Sequence, residues 1–135
     1  MTKTDVQIRF GDVDALRHVN NVAIVQYYDL GLSHYMRNLN ISNVFYGNGM
    51  AKVHIEMNFY DSIEFDENIE VQTNVSKIGN RSLTFFQRVV NKDDGKIKSD
   101  CLTTLAGFNI ETHKSVPIVD EWKKMITEHE NGSLL

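Results

Sequence analysis

The sequence predicts an α+β domain in which one long helix packs on an antiparallel sheet of about five strands. Three observations predict it. A strand-like run opens the chain and hands over to a helical stripe: Val22, Val25, Leu32, Met36 and Leu39, with Tyr28 and Tyr35 beside it. The second half alternates apolar and polar residues with a period of two in several successive runs. Short turns separate these runs, which suits antiparallel strands that need no crossover helix.

Each element follows from its residues. Residues 5–13 alternate enough for a first strand. Asn20 or Asn21 can cap the helix, and the only proline is Pro117, so nothing breaks the helix before about Asn38–Asn40. A loop then contains Gly47-Asn48-Gly49, and the 40–50 stretch is expected to set pocket depth. Val53, Ile55, Met57 and Phe59 alternate with Lys52, His54, Glu56 and Asn58, a strand with one buried face. Ile69, Val71, Thr73 and Val75 repeat the pattern. Gly79-Asn80 marks a turn, residues 82–91 form a strand, and Asp93-Asp94-Gly95-Lys96 is a hairpin turn. A last strand covers about 97–110. After Pro117, Asp120 can cap a short helix using Val119, Trp122, Met125 and Ile126, with residues 130–135 frayed. A five-stranded sheet with a single helix leaves open edges, which predicts self-association.

The bulk properties narrow the function. The chain has 135 residues, enough for one domain spanning 1–135, and shows no internal repeat or linker. Its net charge of -4 and lack of a basic stretch argue against nucleic acid as a partner. Cys101 is the only cysteine, so no intrachain disulfide forms, which suits a reducing, cytoplasmic setting. No secretory signal or membrane span is legible, so the four Asn-x-Ser triplets, at Asn40, Asn74, Asn80 and Asn131, are read as chance. The scattered His34, His54, His113 and His129 make no metal-ligand spacing and fit surface or rim positions. Cys101 fits a core or interface thiol. No Gly-x-Ser-x-Gly elbow, phosphate-binding loop or dinucleotide fingerprint occurs.

The segment with most chemistry is Phe10-Gly11-Asp12-Val13-Asp14 followed by His18-Val19-Asn20-Asn21. It places two carboxylates, a histidine and two amides where a strand meets a helix. A helix start offers unpaired N–H groups and a partial positive charge, which can stabilise an oxyanion. A carboxylate beside it can act as base or nucleophile. Taken alone, Asp14 reads more readily as a helix-capping or turn aspartate than as a catalytic one.

Arg9-Phe10-Gly11-Asp12-Val13-Asp14 and His18-Val19-Asn20-Asn21 resemble the hotdog-fold acyl-CoA thioesterases, in the hydroxybenzoyl-CoA thioesterase-like branch. Ile55-Glu56-Met57-Asn58-Phe59-Tyr60, Gly79-Asn80-Arg81-Ser82-Leu83 and Pro117-Ile118 continue the resemblance over about residues 5–126. It implies a hotdog fold, with the sheet wrapped around the long helix. It also implies hydrolysis of an acyl-CoA in a tunnel at a subunit interface, within a dimer or tetramer. Asp14 becomes the general base or nucleophile, His18 an orienting or hydrogen-bonded loop residue, and the Asn21 N–H the oxyanion donor. Asp12 becomes a structural residue of the loop. Arg81, with Ser82 and Lys77, becomes the candidate site for the coenzyme A phosphates, and a solvated charge is as good a reading of Lys77. No cofactor or metal is implied, coenzyme A being part of the substrate. Two departures stand out. Arg17 replaces the usual glycine before the histidine, so either the loop differs or the arginine has a task. Asp61-Ser62-Ile63 replaces a proline turn after Tyr60, so that loop should be less rigid. The alternatives are a thioesterase acting on acyl carrier protein, a non-catalytic acyl-CoA binding module, and a hydratase. The hydratase is disfavoured because Asp14-x-x-x-His18 does not match the Asp/His spacing of that family.

Overall fold

A computed structural model describes residues 1–41 and 46–134, with side chains described up to Asn131. Residues 42–45, part of the stretch expected to set pocket depth, lie outside the described residues. The elements run β1 (Thr2–Val6), a 3-10 turn (Phe10–Asp12), α1 (Asn21–Asn38), β2 (Asn48–Phe59), β3 (Ile69–Ile78), β4 (Ser82–Asn91), β5 (Ile97–Asn109) and α2 (Asp120–Leu134). The strands form one antiparallel sheet in the order β1-β3-β4-β5-β2. With α1 against its inner face, this is the hotdog arrangement that the resemblance implies.

Period-two alternation gives β3, β4 and β5 their inner face: Ile69, Val71, Thr73 and Val75 on β3, and Leu83, Phe85, Gln87 and Val89 on β4, are all buried. The helix caps as expected, with Asn20 Oδ1 accepting from the Ala23 N–H at 2.8 Å. Its buried residues Ala23, Ile24, Tyr27, Tyr28, Gly31 and Tyr35 recur at three- and four-residue spacing and lie on the sheet. At Gly31 a Cβ would stand 2.7 Å from Val71 Cγ1 and 2.9 Å from Thr73 Oγ1, so only glycine lets the helix come this close. Gln87, 1% exposed, donates from Nε2 to Tyr28 O and to Thr73 Oγ1, both at 2.9 Å, which satisfies its buried amide beneath the helix.

Four expectations are corrected. The first strand is not 5–13 but Thr2–Val6, paired with β3 from Thr2↔Thr73 to Val6↔Ile69. The chain turns away afterwards because the Asp12 carboxylate draws the Arg9 N–H back at 3.0 Å and closes the 3-10 turn. The Gly47-Asn48-Gly49 loop is mostly strand: only Gly47 takes positive φ, at 81°, while Asn48 and Gly49 already pair with Asn109 and Phe108. β2 does not bury one whole face. Its register shifts between Lys52 and His54, after which Ile55, Met57 and Phe59 face the helix side opposite Thr103, Cys101 and Ser99. There the strand overhangs the helix, so Ile55 and Phe59 remain exposed, as does Val53 at the bulge.

The closing helix is neither short nor frayed at Glu130. α2 runs 15 residues, and Glu130, 3% exposed, accepts from Tyr35 Oη at 2.5 Å and from the Val75 N–H at 2.9 Å. A register shift between Val75 and Lys77 adjoins that amide. Trp122 and Ile126 pack with Tyr35, Val75, Leu83 and Phe85 in the same cluster. Glu130→Ala strands the Tyr35 hydroxyl and the Val75 amide in the interior. It should cost about 2–6 kcal/mol of stability, measured by urea unfolding, at roughly 1–3 kcal/mol for each of the two orphaned groups. Glu130→Gln keeps an acceptor oxygen and should cost less.

Candidate active site

The site begins with a turn that the sequence builds around Asp14. Asp14 Oδ1 accepts from the Leu16 N–H at 2.9 Å and the His18 N–H at 3.2 Å. The Asp14 N–H donates to His18 O and the Arg17 N–H to Asp14 O, both at 2.9 Å. One carboxylate oxygen is therefore committed to the turn. Oδ2 accepts no hydrogen bond among the described residues, and the residue is exposed.

Asp12 has the opposite environment. It is 4% exposed, and its carboxylate accepts from the Arg9 N–H, from Tyr27 Oη at 2.7 Å and from the Arg9 guanidinium at 3.3 Å. Burial opposes its ionisation, but these donors together hold its carboxyl below the usual carboxylate range. Burial and the Asp12 carboxylate push the Tyr27 hydroxyl up. Asp12 O also accepts the Asn20 N–H at 2.9 Å, which seats the helix cap. This is the structural part expected of Asp12.

The helix start lies next to this turn. The Asn20 side chain takes the Ala23 N–H, which leaves the Asn21 and Val22 amides without an acceptor among the described residues. Asp14, His18, Asn20, Asn21, Ile24 and Phe59 line one cleft of about 600 Å³, together with residues 60–63. A second cavity of about 460 Å³ lies further along α1, between Leu32, Met36, Met50 and Leu105, with the Asp29–Lys52 ion pair at its wall.

The 60–63 segment is firmly held, contrary to the expectation drawn from its missing proline. Ile63 is 1% exposed, and Ile63 O accepts the Val19 N–H at 2.7 Å. Tyr60 Oη donates to Asp100 at 2.7 Å. Asp61 pairs with Lys96 at 3.0 Å and Lys98 at 3.1 Å, and these two ammonium groups hold its carboxyl down to about 2. Ion pairs and a buried isoleucine supply the restraint that a proline ring would give.

The structure thus brings Asp14, His18 and Asn21 together and leaves Arg81, Ser82 and Lys77 elsewhere. Ser82 pairs with Ala106 on β5, whereas Phe59, at the cleft, pairs with Ser99. Seven strand residues separate those two β5 positions, roughly 23 Å at about 3.3 Å per residue. Arg81 Nη2 donates to Ser115 O at 2.9 Å and Ser115 Oγ at 3.3 Å, and Lys77 is exposed. Sequence reasoning missed Tyr60, Asp61 and Ser62 as cleft residues; the run of polar groups straight after the β2 pattern was the available signal. The other histidines are mostly as expected: His54 and His113 are exposed, and half-buried His34 bonds Thr4 Oγ1 at 2.7 Å. Half-buried His129 instead packs edge-on against Tyr35, with ring centroids 5.2 Å apart. Cys101 is buried beside Thr103, and burial pushes its thiol up. Among the described residues, no group of three His, Cys, Asp or Glu is arranged to hold a metal ion, and no helix is long and apolar enough to cross a membrane.

The sequence profile of the thioesterase-like superfamily matches residues 8–126. No curated protein sequence matches significantly. Among solved structures, the chain is similar to a 1,4-dihydroxy-2-naphthoyl-CoA thioesterase from Synechocystis, with TM-score 0.84, 12% identity, and 93% of this chain and 94% of that one covered. It is similar to a DHNA-CoA thioesterase from Staphylococcus aureus, with TM-score 0.85, 16% identity and 96% and 91% covered. A thioesterase from Thermus thermophilus, complexed with coenzyme A and Zn, gives TM-score 0.81, 21% identity and 96% and 94% covered. At these identities the likeness establishes the fold.

Arg17 keeps the glycine-like backbone that its position calls for, with φ 66°, and it does so as an arginine. That left-handed backbone brings the Arg17 Cβ close to the following carbonyl oxygen, a strain that glycine would not have. Arg17→Gly should raise stability by about 0.5–1 kcal/mol, the left-handed penalty less the added freedom of glycine in the unfolded chain. Thermal melting checks this; an unchanged or lowered melting temperature would contradict it.

Proposed function

The chain belongs to the thioesterase-like superfamily and is a thioester hydrolase, and from this premise we propose that it hydrolyses acyl-CoA at the Asp14 cleft. One observation carries the reading. A carboxylate with one oxygen pinned by two amides and the other open shares a cleft with a helix start whose first amides are unoccupied. Asp14 Oδ2 takes a proton from water as the water oxygen attacks the thioester carbon, or attacks that carbon itself to form an anhydride that water then opens. The Asn21 N–H and the partial positive charge of the helix start receive the developing oxyanion. Collapse expels the coenzyme A thiolate and leaves the free acid. His18 lines the cleft beside Asp14, and its backbone N–H helps fix the carboxylate. A thiolate is a good leaving group, so the scheme calls for no metal or cofactor. The setting is cytoplasmic, in keeping with a chain whose one cysteine is a free thiol.

Coenzyme A as the carrier is supported by two CoA thioesterases among the structural neighbours and by a thioesterase complexed with coenzyme A. The acyl group runs from the cleft between α1 and the exposed inner residues Ile55 and Phe59 of β2. The working unit is a dimer or tetramer. β2 is a 12-residue edge strand, and antiparallel pairing with the β2 of a partner about a two-fold axis gives one continuous sheet. That pairing sets the Asn48 end of one subunit beside the Phe59 end of the other. It carries the partner's Arg81, Ser82 and Lys77 toward the Asp14 cleft, where they meet the coenzyme A phosphates. Acyl carrier protein as the donor is the alternative, and it would need a basic patch at the cleft mouth; turnover of matched acyl-CoA and acyl-carrier-protein substrates separates the two.

Asp14→Asn keeps the size and much of the turn, so the protein should fold. Its kcat on acyl-CoA should fall by about 10²–10⁴ with binding retained, the range for losing a positioned acid–base group. Parallel turnover and melting measurements on Asp14→Asn and Asp12→Asn separate chemistry from folding. Undiminished turnover in folded Asp14→Asn would exclude the mechanism.

Arg81→Ala should raise KM for acyl-CoA with kcat little changed. Sedimentation should show a dimer or larger species at assay concentration. A fully active monomer would remove the two-subunit site, and with it the role given to Arg81.

A further inference from the structure

Lys98, on β5, contacts the connection from β2 to β3, with its side chain 5% exposed. Its ammonium donates to Asp61 Oδ2 at 3.1 Å and Ser62 O at 3.1 Å, and it pairs with Glu67 Oε1 at 2.6 Å. All three of its N–H groups are thus used. Its backbone oxygen accepts the Tyr60 N–H at 2.9 Å and the Asp61 N–H at 3.2 Å. Glu67 is fixed in turn by Asn91 Nδ2 at 3.0 Å and by the Glu64 N–H at 2.7 Å. One buried residue therefore grips both ends of the 60–67 connection.

That connection reaches the reacting groups through backbone alone. Ile63 O accepts the Val19 N–H, and Glu64 bridges His18 in a single antiparallel pair. His18 gives its N–H to Asp14 Oδ1 and its carbonyl to the Asp14 N–H. Two residues beyond Val19 stands the Asn21 amide.

We propose that Lys98 is a positioning residue of the site: its buried ammonium sets the 60–67 connection, which holds residues 18–21 and thereby fixes the Asn21 amide relative to the Asp14 carboxylate. The inference rests on the thioesterase reading of the cleft and adds to it a residue that touches no substrate. The ion cluster fits the task. A buried lysine paired with two carboxylates admits one low-energy arrangement, because any displaced partner is left as an uncompensated charge.

The test compares wild type, Lys98→Met and Ile126→Ala. Ile126 packs against α2's neighbours in the other core cluster, so its variant loses stability far from the cleft. Turnover is measured on a panel of acyl-CoAs, and amide hydrogen exchange is followed at Val19 and Val75. Lys98→Met should lower kcat by about 10–100-fold with KM within about threefold, the cost of a small misplacement. Its Val19 amide should exchange at least about tenfold faster while Val75 keeps its protection. Ile126→Ala should leave kcat near wild type at a temperature where it is folded. If Lys98→Met does not fold, the variant that adds Glu67→Gln removes the stranded charge, Asp61 keeping its pair with Lys96, and carries the same expectation. Unchanged Val19 exchange overturns the proposal. So does faster Val19 exchange with kcat no lower than in Ile126→Ala, since the lysine is then merely structural. A wild type that turns over no acyl-CoA defeats the functional reading instead, and Val19 exchange alone then decides whether Lys98 holds the segment.

Discussion

The close approach of α1 to the sheet at Gly31 is the constraint on which the rest of the fold depends. Val71, Thr73 and Gln87 all stand within 3.0 Å of where a Cβ would be. The helix cannot rise without emptying the space under Tyr28 and Tyr35, and it cannot slide without breaking the Gln87 bond to Tyr28 O. Gly31 also sits between the two core clusters, one built on Ala23, Ile24, Tyr27 and Tyr28 and the other on Tyr35 with α2. Fixing the middle of the helix fixes both ends. At its start, the Asn21 amide comes to a defined place beside Asp14.

Three buried ionisable side chains extend this order beyond the helix, two of them to parts of the chain that lack regular structure. Asp12 holds the passage from β1 to α1, Lys98 the passage from β2 to β3, and Glu130 the seat of α2 on β3. Each is 4% exposed or less. Removing such a group from water is costly unless several partners replace the lost hydration. Each here has at least two, one of them a backbone group: the Arg9 N–H for Asp12, Ser62 O for Lys98 and the Val75 N–H for Glu130. Asp12 and Lys98 thus hold the chain where it changes direction without regular structure, and Glu130 ties α2 to β3.

This explains which parts were legible in the sequence. β3, β4, β5 and α1 follow from periodicity, because burial on one face imposes a period of two or 3.6 whatever the partner. The Asp14–Asn21 segment was legible because its contacts are local: a carboxylate, the amides two and four residues on, and a helix cap. The first strand was misplaced because Thr2 and Thr4 bury hydroxyl side chains that carry no apolar signal, while exposed Phe10 carries a false one. Glu130 looked like part of a frayed tail because nothing in its neighbours reveals a partner 95 residues away. The rigidity of 60–63 was hidden for the same reason. A proline announces its restraint in the sequence, but an ion pair with Lys98, 37 residues on, does not.

The same reasoning bears on β2, whose pattern predicted a buried face that the single chain leaves half open. The alternation of Ile55, Met57 and Phe59 is as regular as that of β3, yet Ile55, Phe59 and the bulged Val53 are exposed. A period-two apolar pattern records the environment in which the strand works, not the one a single chain provides. Ile55 and Phe59 lie on the side that faces α1, where the cleft opens, and the free edge of the strand carries the unpaired backbone groups that a second strand would meet. A cover that satisfies both is one that pairs with the edge and lays apolar surface, of protein or of substrate, against the overhanging side chains. In the proposed assembly an isologous copy of β2 would do the first, and an acyl chain lying along Phe59 and Ile55 would do the second. On that proposal, the pattern that sequence reading took for a core becomes the apolar wall of the site.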